Sequence, residues 1–210
     1  MFDFTVDTKL GAARLTTLTT PHGAIRGPFF QFVATQAAIR GQVYSEDLEK
    51  LGVQIILANT YHLHLRPGEQ LIAEAGGLHE FMQWEKPITT DSGGYQVFSL
   101  GQNVKIDPDG VTFRSPINGD EHRFTPESTI DVERQLGADI IMPLDIATPF
   151  DASESDIEQA VAQTIAWAKR CQTHHQKLES KEAKQALYGI VQGGLVPSLR
   201  AECAAALIEL

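Results

Sequence analysis

Cysteine is scarce in this sequence, long apolar runs are absent, and basic residues are in deficit. Cys171 and Cys203 are the only cysteines among 210 residues. Two thiols build neither a disulfide framework nor a four-thiolate metal cluster, so no metal site is expected within these residues. The amino terminus, Met1-Phe-Asp-Phe-Thr-Val-Asp, lacks the basic-then-apolar order of a secretory signal, and together with the few cysteines this points to a reducing cytoplasm. No stretch approaches the ~20 apolar residues of a membrane span, so no membrane partner is expected. Lys and Arg number 17 against 27 Asp and Glu, a net charge of -10. Bulk nucleic-acid binding by counterion release needs a basic surplus, which these residues do not supply. What is present is an ordinary soluble composition, 42% hydrophobic, in a chain long enough to bury one sizeable core without a staple.

Short apolar runs alternate with helical patterns, with no repeat or low-complexity tract. Residues 1–27 read as a small antiparallel element: strands at Phe2 to Thr8 and Ala13 to Thr20, a Pro21-His22-Gly23 turn, and a return through Arg26. Residues 28–210 then read as five strand-helix units. Their strands are expected at Phe29 to Thr35, Gln54 to Thr60, Pro87 to Ser92, Asp139 to Asp145 and Ala186 to Gly194. Helices are expected at Ser45 to Leu51, around Glu69 to Ala75, from Pro126 to Leu136, after Ser153, and along an apolar stripe of Leu199, Cys203, Leu207 and Leu210. An insertion near 101–124 alternates and carries Asp109-Gly110 and Asn118-Gly119, the signature of a β-meander. Both cysteines read as core residues. Strand-helix alternation implies an α/β fold with a parallel sheet, either open and doubly wound or part of an eight-stranded barrel.

Asn59, Asp91, Asp145 and Gln192 each fall at the carboxyl end of a different expected strand, the face that carries ligands in either architecture. Any one aspartate after a strand can equally be a helix cap or a turn former. The most informative stretch runs from Thr89 through Thr90-Asp91-Ser92-Gly93-Gly94-Tyr95-Gln96-Val97. The glycines allow close approach of a planar ligand and Tyr95 offers a flat face, although a strand-ending turn with a packing tyrosine would use the same residues.

This stretch resembles the Thr-Asp-Ser-Gly-Gly-aromatic-Gln-Val motif of the tRNA-guanine transglycosylases (queuine tRNA-ribosyltransferases). Ala58-Asn-Thr-Tyr-His-Leu, Leu65-Arg-Pro-Gly, Gly76-Gly-Leu-His, Phe113-Arg-Ser-Pro-Ile, Thr125-Pro-Glu and Gly189-Ile-Val-Gln-Gly-Gly also resemble family blocks, in family order. The resemblance implies an incomplete TIM (β/α)8 barrel and a transferase of queuosine biosynthesis. Such an enzyme replaces the wobble guanine of a tRNA anticodon loop with 7-aminomethyl-7-deazaguanine or queuine, through a covalent glycosyl-enzyme intermediate. It implies that Asp91 is the proton-transfer carboxylate, and that Ser92, Gly93, Gly94 and Tyr95 lie along the base, with Tyr95 stacking. By the same resemblance Asp145 accepts from the two donors of guanine's pairing edge, Gln192 donates to its carbonyl, and Asn59 contacts the adjoining nucleotide. These residue types suit the chemistry: a retaining route wants two carboxylates, and a flipped base wants a flat face and a satisfied edge.

The family's aspartate nucleophile and its zinc ligands, three cysteines and a histidine, are expected beyond Leu210, as is the basic tRNA surface. The chain therefore reads as the amino-terminal portion of a longer enzyme, inactive alone and homodimeric when full length. A non-catalytic binding subunit that pairs with a catalytic homologue is the alternative, disfavoured because a scaffold has no use for Asp91, Asp145 and Gln192. An unrelated barrel hydrolase using Asp91 and Asp145 is a third. Where bacterial relatives usually continue with Glu-Cys-Thr-Pro, this chain has Ile146-Ala147-Thr148-Pro149, which bears on the 7-substituent. His62 and His64 lack further ligands in the sequence, His174 and His175 suit a helix carboxyl end, and Asp107 and Asp109 read as turn formers.

Overall fold

The computed structural model describes residues 1–39, 41, 43–100, 102–178 and 185–210. Gly101, within the expected insertion, lies outside them. In chain order the elements are β1 (Asp3–Leu10), β2 (Ala13–Thr20), β3 (Gly23–Gly27), β4 (Phe32–Ala34), α1 (Ser45–Lys50), β5 (Ile56–Ala58), α2 (Thr60–Leu65), α3 (Glu69–Glu74), α4 (Leu78–Met82) and β6 (Ile88–Thr90). There follow α5 (Gly94–Leu100), β7 (Gln102–Asp107), β8 (Gly110–Arg114), β9 (Glu121–Phe124), α6 (Pro126–Leu136), β10 (Ile140–Ile141), α7 (Glu154–Leu178), β11 (Ala186–Leu187) and α8 (Pro197–Ile208). Two compact units result. One comprises Met1–Asp91, Glu133–Ile141 and Ser180–Ala186, and the other Ser92–Val132, Met142–Glu179 and Leu187–Leu210.

The first unit opens with the antiparallel sheet β1-β2-β3. It buries little: β1 is exposed on both faces, and Leu18 and Ile25 are its main core residues. A second sheet has the order β11-β10-β6-β5-β4, with β4, β5, β6 and β10 pairing in parallel. The strands β5 and β10 are apolar on both faces, as central strands of a helix-covered parallel sheet are, while β6 carries the buried Thr89 and Thr90. Ala34, Ile56, Ala58 and Ile88 are fully buried in this unit, with Ile72 and Leu78 from its helices. Trp84 is buried too, its indole N–H donating to the Pro87 carbonyl at 3.2 Å. Parallel register sets Ala58 against Thr90, so the residues that follow, Asn59 and Asp91, emerge side by side.

The second unit holds the antiparallel meander β7-β8-β9. Its turns fall where the Asp-Gly and Asn-Gly pairs occur: Asp107 pairs with Gly110, and Gly119 N–H closes onto the Ser115 carbonyl at 2.9 Å. Phe113 and Phe124 meet edge to face beneath it at 5.3 Å. Thr125 Oγ1 accepts from Ser128 N–H at 3.1 Å at the start of α6, and Ser153 Oγ from Asp156 N–H at 3.2 Å at the start of α7. Ile157 and Val161 on α7 pack against Leu199 and Cys203 on α8. Both cysteines are buried.

Several expected boundaries differ. The strand expected to reach Thr60 ends at Ala58, and α2 begins in its place, since Asn59 is the extended residue before a first helical turn. The strands expected at Asp139 to Asp145 and Ala186 to Gly194 contract to two residues each. Pro143 cannot donate to a ladder, and Gly193 and Gly194 adopt positive φ. Asp145 and Gln192 therefore stand on irregular segments beyond strand ends, whereas Asn59 and Asp91 follow their strands directly. Leu210 lies past the end of α8 and is exposed, so it does not continue the stripe.

Candidate functional site

In the first unit, Asp91 is fixed by the strand beside it. The Asn59 amide Nδ2 donates to Asp91 Oδ2, Thr60 N–H donates to Oδ1 at 3.0 Å, and the Thr60 hydroxyl donates to the Asp91 carbonyl. Asp91 N–H in turn donates to the Ala58 carbonyl at 3.3 Å. The carboxylate thus caps α2 from a neighbouring strand, where a helix's first N–H groups have no intrahelical partner. Asn59 is buried, 6% exposed, with its amide committed to Asp91. Asp91 itself is only partly buried.

In the second unit, Asp145 stands between two donors. The Ser92 hydroxyl donates to Oδ1 at 2.7 Å and the Gln192 Nε2 to Oδ2 at 2.7 Å. Gly94 N–H donates to Ser92 Oγ at 3.0 Å, so one hydroxyl links the first turn of α5 to the carboxylate. A Cβ on Gly94 would lie 2.8 Å from Asp145 Oδ1 and 2.9 Å from its carbonyl, which leaves hydrogen as the fitting side chain. Gly93 holds φ +78°, a conformation that favours glycine. Gln192 N–H donates to the buried Cys203 sulfur at 3.3 Å, so α8 sets the height of the Gln192 segment. Asp145 is 5% exposed.

Tyr95 is 66% exposed. It lines a groove of about 750 Å³ with Phe98, Ile106, Ile146, Ala147 and Pro149, so the two residues after Asp145 face space beside the tyrosine. Ser92, Gly94, Tyr95, Asp145 and Gln192 are thus brought into the second unit, while Asn59 and Asp91 meet in the first.

A family model described as TGT, queuine tRNA-ribosyltransferase, matches residues 8–210. The chain belongs to that family. A queuine tRNA-ribosyltransferase of Prochlorococcus marinus (strain MIT 9313) is 48% identical over 206 residues, covering 97% of this chain and 54% of the relative. Those of Thermoanaerobacter sp. (strain X514) and Herpetosiphon aurantiacus are each 49% identical, over 94% and 99% of this chain and 52% of each relative. The chain thus spans about half the length of the curated relatives it matches. Among the described residues no helix is long and apolar enough to cross a membrane.

A further cluster escaped sequence reading. In the first unit His22 Nδ1 lies 2.8 Å from Asp139 Oδ1, and His79 Nε2 lies 3.2 Å from Oδ2. Burial alone would raise the Asp139 carboxyl, but bonds from His79, His22 and Ile88 N–H outweigh it and hold it below the ordinary carboxylate range. No spacing signal marks residues so far apart in the chain. Of the histidines weighed from sequence, His64 pairs with Glu69 at 2.8 Å and His174 with Asp131 at 2.8 Å.

Proposed function

We propose that the chain supplies the base-recognition half of a tRNA-guanine transglycosylase, which exchanges the wobble guanine of certain anticodons for a 7-deazaguanine. Its five-stranded sheet would then be the first part of an eight-stranded βα barrel, with β1-β2-β3 as a preceding antiparallel element. The observation that carries this reading is Asp145, buried and held between the Ser92 hydroxyl and the Gln192 amide. Guanine's pairing edge offers two donors beside one carbonyl. A carboxylate beside a side-chain amide matches that edge, the carboxylate accepting from the donors and the amide donating to the carbonyl.

Asp91 is the proton-transfer carboxylate in this reading. Breaking a glycosidic bond through an oxocarbenium-like state by a retaining route uses one carboxylate as nucleophile and another for protons. Asn59 and Thr60 N–H hold both Asp91 oxygens in place, which orients the group that must meet the base. Asn59 acts here as a positioning residue for Asp91. Tyr95, exposed beside Ser92-Gly93-Gly94, offers the stacking face for a flipped base. Ile146 and Ala147, where relatives usually have Glu and Cys, would meet the 7-substituent in the apolar groove and accept a bulkier one such as queuine.

The family's zinc does not fit the thiols of this chain. Cys171 is buried with its sulfur against the Pro126 carbonyl, and Cys203 is buried under Gln192. No step is assigned to zinc here.

The test uses the full-length enzyme with labelled guanine and substrate tRNA. Replacing Asp145 by Asn turns an acceptor into a donor facing guanine's donors. It should lower kcat/KM for guanine by about 10²-fold or more, the range seen when a site built for a hydrogen bond loses it. Unchanged kcat/KM in Asp145→Asn would reject the assignment of the base edge.

A further inference from the structure

Three separate segments of the first unit each deliver one metal-ligating side chain to one place. His22 comes from the turn between β2 and β3, His79 from the first turn of α4, and Asp139 from the residue before β10. Their ligand atoms all lie within 4.8 Å of one another. We propose that His22, His79 and Asp139 bind a divalent first-row transition metal, best fitted by Zn²⁺, with a water from the adjoining cavity as fourth ligand.

The donor set selects the ion. Two imidazoles and one carboxylate, without thiolate, form the three-ligand set of an open tetrahedral zinc site and disfavour Ca²⁺ and Mg²⁺, which take oxygen ligands. Ligands about 2.1 Å from one tetrahedral ion stand about 3.4 Å apart. His22 Nδ1 stands 2.8 Å from Asp139 Oδ1 and His79 Nε2 3.2 Å from Oδ2, each imidazole facing its own carboxylate oxygen, so the side chains part slightly to admit the ion between them. The ion would take the place of the proton on each facing nitrogen, each imidazole keeping its proton on the other.

The surroundings are prepared for a cation. The imidazoles stack with centroids 3.6 Å apart and planes 19° apart, so both present a nitrogen to the same carboxylate. Ile88 N–H donates to Asp139 Oδ2 at 2.9 Å, the kind of outer bond that orients a ligating carboxylate. Side-chain exposure rises from 1% at Asp139 through 13% at His79 to 40% at His22, which leaves a path from solvent. The cavity on that side, about 610 Å³, is lined by Glu46, Glu49, Glu80 and Glu85 along with the two histidines. Among the described residues no lysine or arginine lines it.

The measurement compares the full-length protein with His22→Gln, a substitution at the most exposed ligand that keeps a hydrogen-bond donor near Asp139. Both are stripped with a chelator and titrated with Zn²⁺. The unaltered protein should bind one more ion per chain than the variant, or bind it at least about tenfold more tightly, since loss of even an outer partner weakens metal sites by about that factor. If His22→Gln does not fold, His79→Gln serves as the second variant, and crystals soaked in Zn²⁺ give a direct reading. Anomalous scattering at the zinc edge should place a peak among the three side chains. Equal stoichiometry and affinity with and without the histidine, or a map with no peak there, overturns the site.

Discussion

Asp91 caps α2 in the folded chain and, in the proposed reading, is also the proton-transfer group. Its oxygens accept from Asn59 and Thr60, so replacement by asparagine sets an amide NH₂ against a donor as well as removing the charge. In the full-length enzyme Asp91→Asn should lower guanine exchange by about 10² to 10⁴, the usual worth of a placed proton-transfer group, while tRNA binding persists. The same variant should lose about 1–3 kcal/mol of stability from the mismatched, partly buried hydrogen bond, read by denaturant unfolding. Near-normal exchange would remove Asp91 from the mechanism. A second carboxylate offers a pH test. The Arg123 guanidinium, with help from the Asp109 and Gly110 N–H groups, holds Asp107 down to about 2 from an ordinary value of 3.8. A depressed folded-state pKa means its contribution is in full force above about pH 4 and disappears as pH falls through about 2. The pair is exposed, so the contribution is small and salt-sensitive. An NMR titration of Asp107 should show this low midpoint, and Arg123→Gln should move it upward.

At the scale of the element, turn and cap chemistry was legible and short strands were not. Thr125-Pro126 announced α6 to the residue, and the Asp-Gly and Asn-Gly pairs located the meander. The helices α2, α4 and α5 span one or two turns each, too few for an apolar period to show. Within the candidate site, the residue types and their order were readable from the Asp91 to Tyr95 stretch. The bond between Asn59 and Asp91 depends on strand register, and the His22, His79 and Asp139 cluster on a chain separation of 117 residues between its ends. Pattern in one dimension carries neither. The opening of α5 gives its own prediction. An alanine at Gly94 would push its methyl against both Asp145 Oδ1 and the Asp145 backbone, where the neighbour cannot yield cheaply. Gly94→Ala should cost about 1–3 kcal/mol by overpacking and weaken guanine binding together with stability, whereas Gly119→Ala, where a Cβ meets open space, should leave guanine binding alone. Guanine affinity unaltered in Gly94→Ala would show that the segment shifts without disturbing Asp145.

The whole chain is a mixed α/β protein whose parallel sheet ends in β4 on one side and β11 on the other. Among the described residues no further strand covers either edge; such edges invite association, and β4 exposes Phe32 and Val33. If, as proposed, these residues are the base-recognition half of the enzyme, then expressed by themselves they should self-associate in light scattering and show no guanine exchange. A monodisperse monomer that turns over labelled guanine would contradict both halves of this prediction and direct attention to Asp91 and Asp145 as nucleophiles.

The cap that Asp91 places on α2 also bears on how descendants of this fold diverge. A lineage that abandoned base exchange should still keep an acidic residue at position 91, because it accepts from the Asn59 amide and the Thr60 N–H at the start of α2. Persistence of that aspartate in a relative is therefore no proof of chemistry. Drift should surface first at Tyr95, whose ring is exposed and bears no comparable duty in the folded chain.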